Sequence, residues 1–130
     1  MTGPTTAGYA GLAAGEPWHY VGDATTGLGT VLLSDFTGTV AFRLRAPDFV
    51  DIVGEIVWPG TSPFSDVVQL PEGYRPVASQ QLGIVRRSSG GTDSARLLDV
   101  TSAGFVTVDQ VATDDTVFIN VSASLSVASV

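Results

Sequence analysis

The sequence predicts an all-β fold, an antiparallel β-sandwich or jelly-roll-like barrel, on three observations. The composition has fifteen glycines, no lysine and only three glutamates among 130 residues, which lowers helix propensity and favours short strands joined by turns. Apolar residues recur with a period of two over most of the chain after Trp18. Turn-forming clusters of Gly, Asp, Ser and Pro interrupt these runs at spacings of roughly ten residues, the rhythm of a sandwich or barrel. With 44% apolar residues, the chain is long enough for one packed core.

Residues 1–17, MTGPTTAGYAGLAAGEP, have no strand period and read as an arm or linker, with Tyr9 and Leu12 as contacts for a neighbour. Residues 18–130 are expected to form one β-sandwich domain. GTVLLS (29–34) and TVAFRLRA (39–46) are predicted strands around a DFTG turn, and the second places Val40, Phe42 and Leu44 on one face. FVDIVGEIVW (49–58) continues the alternation, with Gly54 at a bulge or a close backbone approach. PGTSPFSD (59–66) is a loop and DVVQL a short strand.

QLPEGYRP (69–76) then combines two prolines and a glycine, so it continues neither a helix nor a central strand and makes a rigid corner. SQQLGIVRR (79–87) is a strand ending at the flexible tip SSGGTDS, and ARLLDVT (95–101) and FVTVDQ (105–110) form a hairpin whose bend requires Gly104. TVFINVSASLSV (116–127) is the last strand. Both of its faces carry apolar residues, Phe118 as well as Val117, Ile119 and Val121, which predicts an apolar face left exposed on a monomer.

The formal charge is -7 and the six cationic residues are all Arg, scattered along the chain, so nucleic acid is excluded for want of a basic footprint. No cysteine is present, which removes disulfides and thiolate metal sites and points to oligomerisation as a stabilising device. Neither a leader pattern nor an apolar run of spanning length is visible, and no membrane partner is expected.

Enzyme signatures are lacking. His19 is the single histidine, which prohibits a multi-histidine metal site, and its neighbours Trp18 and Tyr20 suggest packing. No serine has a nucleophile-elbow context. Ten aspartates make some acid pair inevitable, but Asp114 and Asp115 read as turn formers, and no calcium-loop pattern supports a metal. The expectation is a non-enzyme without cofactor or metal. Carbohydrate binding needs only an aromatic face and a few planar polar groups on a rigid scaffold. Trp58 at a strand end, with Arg86, Arg87, Asp93 and Arg96 around the glycine-rich tip, are the candidate ligand-binding residues.

In order along the chain, WHYVG (18–22), AFRLRAPDFVDIVGEIVW (41–58), VQLPEGYRP (68–76), LLDVTSAGFVTV (97–108) and VFINVSASLSV (117–127) resemble the C-terminal head domains of phage tail fibres and receptor-binding tail proteins. The likeness covers roughly residues 18–127, and its most specific element is the corner. It implies a structural role for Leu70, Pro71, Gly73, Tyr74, Arg75 and Pro76: Leu70 and Tyr74 pack into the barrel, and Arg75 bonds backbone or a neighbouring subunit. It further implies a homotrimer that receives a fibre shaft or baseplate component at its N-terminal side and binds a host cell-wall saccharide, with specificity in variable loops such as Thr61–Phe64 and Ser88–Asp93. Such a protein assembles in the host cytoplasm and resides in the virion tail, consistent with the lack of a leader and of cysteine. One alternative is a cap or decoration protein of a phage or contractile-injection particle that binds no receptor; a second is a glycan depolymerase or esterase that uses an aspartate or His19.

Overall fold

A computed structural model of the chain describes residues 16–46, 48–58, 64–88, 90–109 and 114–125. The strands are β1 (His19–Tyr20), β2 (Thr37–Ala46), β3 (Phe49–Val57), β4 (Phe64–Gln69), β5 (Gln80–Arg87), β6 (Asp93–Val100), β7 (Phe105–Asp109) and β8 (Thr116–Ser124), and no helix occurs among the described residues. All pairings are antiparallel. They join one continuous sheet in the order β1-β2-β3-β8-β5-β6-β7-β4, curled into a half-barrel. The predicted all-β antiparallel class therefore holds, and the barrel is a single sheet bent around its core.

Alternation decides which side chains fill the barrel. In the β2-β3-β8 register, Phe42 stands opposite Ile52 and Ile52 opposite Val121, while Leu44, Val50 and Ala123 form the next row. Phe42, Val50, Ile52 and Ala123 are fully buried. β6 and β7 contribute Leu98, Val100, Val106 and Val108 from the same face, all buried. Truncating Ile52 or Leu98 to Ala removes apolar contact and leaves a void, which costs about 2–5 kcal/mol.

Two connections interlock the strands. β5, β6 and β7 follow one another as a meander, and β4 pairs with β7, so the chain between Leu70 and Ser79 carries it from the sheet edge across to β5, a Greek-key return. That return is the predicted rigid corner. Tyr74 N–H donates to the Pro71 carbonyl at 3.1 Å and Gly73 has φ +90°, the pattern of a turn that needs glycine at its third position. Leu70 is fully buried, Tyr74 meets Phe42 edge-on at 5.1 Å between centroids, and Arg75 Nε donates to the Leu70 carbonyl at 2.7 Å. Gly104, in the β6-β7 turn, supports the corner from outside: its carbonyl accepts from Leu70 N–H at 2.8 Å, and a Cβ there would lie 2.7 Å from Arg75 Nε.

The predicted strand at 29–34 is not a strand. Residues 23–30 fold into tight turns instead, with the Asp23 carboxylate accepting from the N–H groups of Thr25 and Thr26 at 2.8 Å each and Thr30 N–H donating to the Gly27 carbonyl at 3.0 Å. Leu28, Gly29, Ser34 and Asp35 all have positive φ, which breaks the extended conformation at both ends. The segment's work is closure. Val21 N–H donates to the Val40 carbonyl of β2, and Leu33 N–H donates to the Val67 carbonyl of edge strand β4, so the β1-β2 connection bridges the open side of the half-barrel.

Other boundaries shift by small amounts. Gly54 marks a close approach and no bulge: a Cβ there would run into the Thr39 carbonyl oxygen, while the register shifts fall at Leu44/Ala46 and Asp66/Val68. β6 starts at Asp93 and not at Ala95, because Arg87 and Asp93 still pair. The arm residues 1–15 with Tyr9 and Leu12, the loop residues Thr61–Pro63, Ser89, Gln110, and Ser126 and Val127 of the last predicted strand lie outside the described residues.

Candidate functional site

Of the sequence-predicted ligand residues, the structure brings three to the β5-β6 tip and joins a fourth to them through Asp115. Arg87 and Asp93 face each other across the hairpin, with Arg87 Nε donating to Asp93 Oδ1 at 2.8 Å and the guanidinium 5.1 Å above the Phe118 ring. The Arg87 bond and charge hold the Asp93 carboxyl below its ordinary value. Arg86 points into the barrel end beside Val117 and Ser94, donating from Nη1 to Asp115 Oδ2 at 3.0 Å and from Nε to Ser94 Oγ at 3.2 Å. The Asp115 side chain is only 2% exposed, so the pair is anchored in the structure. Asp115 was predicted as a turn former; it is also a buried counter-ion.

Trp58 is not a rim residue. It is 5% exposed, stacks at 4.8 Å on Phe36, and exchanges backbone hydrogen bonds with Asp114 and Asp115, because the inward period of β3 continues one residue past the strand. Its indole Nε1 is buried without a hydrogen-bond partner among the described residues. Arg96 lies further along β6 opposite Ile84 and donates to the Ala95 carbonyl at 2.9 Å.

His19 sits in a polar seam of its own. Its Nδ1 donates to the Thr26 carbonyl at 2.8 Å, and its Nε2 lies 2.9 Å from Glu16 Oε2 and 3.0 Å from the Tyr74 hydroxyl. Tyr74 donates to Glu16 Oε2 at 2.8 Å. Burial, that hydrogen bond and the Glu16 charge push the Tyr74 phenol well above its ordinary pKa, so it stays a donor. The ring of His19 is flanked by Phe42 and Tyr74 at 5.3 and 5.5 Å. The seam ties the segment before β1 to the corner, and the hydroxyl beside the imidazole is the Tyr74 phenol, itself bonded to Glu16.

On the outer face, Asp51 makes a second buried anion site. It is 8% exposed and accepts from Ser122 Oγ at 2.6 Å and Arg45 Nε at 2.9 Å, with Arg43 Nε at 3.5 Å; Arg43 lies 4.3 Å from the Trp18 ring. Burial alone would raise its pKa, but Ser122, Arg45 and Arg43 together hold it below the ordinary carboxylate value.

The described surface is concave between the closing segment and the corner. A cleft of about 230 Å³ lies there, floored by Leu33 and Leu70 and walled by Leu28, Val31, Gln69 and Arg75. Leu28 and Val31 are 51% and 57% exposed, and Leu28 holds a left-handed φ of +54°. A bulky side chain in that conformation costs roughly 1–2 kcal/mol, and it sits on a rim where packing gives little return. The sequence reading missed this cleft because it assigned residues 29–34 to a strand; the paired glycines of TGLGT, either side of Leu28, were the available signal. Neither a protein-family model nor a curated protein sequence matches this chain.

Proposed function

We propose that the chain is the head domain of a tail fibre or related receptor-binding protein and recognises a host cell-surface glycan without acting on it chemically. The observation that supports this most is the cleft beside the rigid corner. Its volume suits one sugar unit, lying below the roughly 300–1,000 Å³ of sites for larger ligands. Exposed Leu28 and Val31 offer apolar contact, and Arg75 and Gln69 offer planar polar groups, the combination that sugar rings require. This moves the proposed contact away from the β5-β6 tip, where the charged groups are engaged with one another.

The reading includes a homotrimer attached through its N-terminal side to a shaft or baseplate component. Val85 and Leu97 support the assembly: 44% and 47% exposed, they stand with Gly83 and Ala95 on the outer face of β5 and β6, an apolar surface suited to a neighbouring copy. Three weak sites on one trimer gain avidity without any new contact.

The test is retention of labelled protein on an array of bacterial surface glycans, with Leu28→Gly/Val31→Asp as the paired variant and the thermal midpoint as its folding control. A subset of glycans retained by the wild type and released by the variant supports the reading. Retention of none, together with no adsorption to bacterial cells, would sink it in favour of a cap or decoration protein.

A further inference from the structure

The cleft differs from the rest of the surface in the sign of its charge and in the state of its donors. The chain has 13 carboxylates against six arginines, yet no residue lining the cleft is acidic and one is Arg75. The Arg75 guanidinium is held by one edge: Nε donates to the Leu70 carbonyl at 2.7 Å, and Gly104, lacking a Cβ, leaves room for it. Among the described residues its two Nη groups make no hydrogen bond or ion pair. The backbone N–H groups of Leu28, Gly29 and Val31 likewise make no hydrogen bond among the described residues. The carbonyls of the same three residues are equally unbonded among the described ones, so what sets the lining apart is the unmatched Arg75 fork with no carboxylate beside it.

A site with an oriented cationic fork, several free N–H groups and no acid selects a planar anion, because a guanidinium binds carboxylate through two parallel hydrogen bonds. The net charge of -7 opposes an approaching anion at long range, but physiological salt screens that repulsion beyond about 8 Å. The contact itself is short-range and half-enclosed, where the fork dominates.

We infer that the cleft takes the carboxylate of an acidic monosaccharide unit, with the Arg75 Nη pair as anchor and Leu28 and Val31 against the apolar face of the ring. This rests on the glycan-recognition reading above. It adds a chemical class: uronic-acid-type units are bound in preference to neutral ones of the same shape.

The experiment compares a glucuronate-containing oligosaccharide with the same oligosaccharide after carboxyl reduction, titrated into the full chain by calorimetry. The acid form is expected to bind about tenfold more tightly, the size of one charge-assisted hydrogen-bond set. In Arg75→Gln the preference should fall below about twofold, while Leu28→Gly weakens both forms alike. Because Arg75→Gln removes a bond to the corner and can unfold it, free glucuronate is also titrated into the wild type with the amide resonances of Leu28, Gly29 and Val31 followed; these should shift first. Equal binding of the two forms overturns the carboxylate inference and leaves glycan recognition standing. Shifts confined to residues outside the cleft overturn the site. Binding of neither form, with the array also blank, overturns the functional reading and this inference together.

Discussion

The β5-β6 tip and the cleft beside the corner both present arginine at a loop, and they differ in what that arginine touches. At the tip, Arg87 meets Asp93 and Arg86 meets Asp115, so each positive group is matched by a carboxylate within 3.0 Å. In the cleft, Arg75 gives one N–H to a backbone carbonyl and keeps its fork unmatched among the described residues. A charge count cannot separate these cases. The neighbouring carboxylates, or their absence, make one region a structural clasp and leave the other with an unmatched guanidinium.

The largest effect should come from breaking the clasp on its buried side. Asp115→Ala leaves the half-buried Arg86 without its counter-ion and should lower stability by roughly 3 kcal/mol, read as a reduced urea midpoint with unchanged slope. A midpoint within error of wild type would show that the Arg86–Asp115 pair is not what secures the tip.

Next in size is Gly104→Ala, which adds a Cβ against Arg75 Nε and the Leu70 carbonyl at φ +91°. It should cost about 2 kcal/mol and reduce glycan retention as well, because the displaced guanidinium lies in the cleft wall. Loss of stability with retention intact would separate Arg75's corner role from its ligand role.

Acid titration probes the other buried anion. The folded pKa of Asp51 is depressed, so its contribution is fully present above the unfolded value and is lost as pH falls through the folded one. Stability should therefore decline on the acid side below about pH 4, the unfolded aspartate range, and Asp51→Asn should flatten that decline. An unchanged acid profile in the variant would show that Asp51 is not the group responsible.

Smaller again is Leu28→Gly, which removes left-handed strain while adding chain entropy; its stability should stay within about 1 kcal/mol of wild type as ligand retention falls. Smallest is Asp93→Ala at the exposed end of the tip, where solvent screens the ion pair and no shift of the unfolding midpoint is expected.

Much of the fold was legible because alternation is a local signal. TVAFRLRA and FVDIVGEIV announce strands through side-chain period alone, and they pair in a register that puts Phe42 opposite Ile52. The corner was legible because Pro71, Gly73 and Pro76 restrict backbone angles whatever surrounds them. GTVLLS misled because its composition suits a strand, and what overrides that composition lies elsewhere: the Asp23 turn before it and the Val67 carbonyl far along the chain. Trp58 misled for a related reason. A tryptophan before Pro-Gly looks like a loop aromatic, and only the three-dimensional position of Phe36 makes it core. The cleft was illegible because its two walls come from segments about forty residues apart.

The position of β8 has a consequence for synthesis. This strand, the last among the described residues, lies between β3 and β5, with nine register positions against β3 and three against β5. While a ribosome is still making it, β1-β2-β3 and β5-β6-β7-β4 have no strand pairing between them, and the edges of β3 and β5 face a gap. Such edges template pairing with other chains. Nascent chains stalled before Thr116 should therefore aggregate more than chains stalled after β8 has emerged.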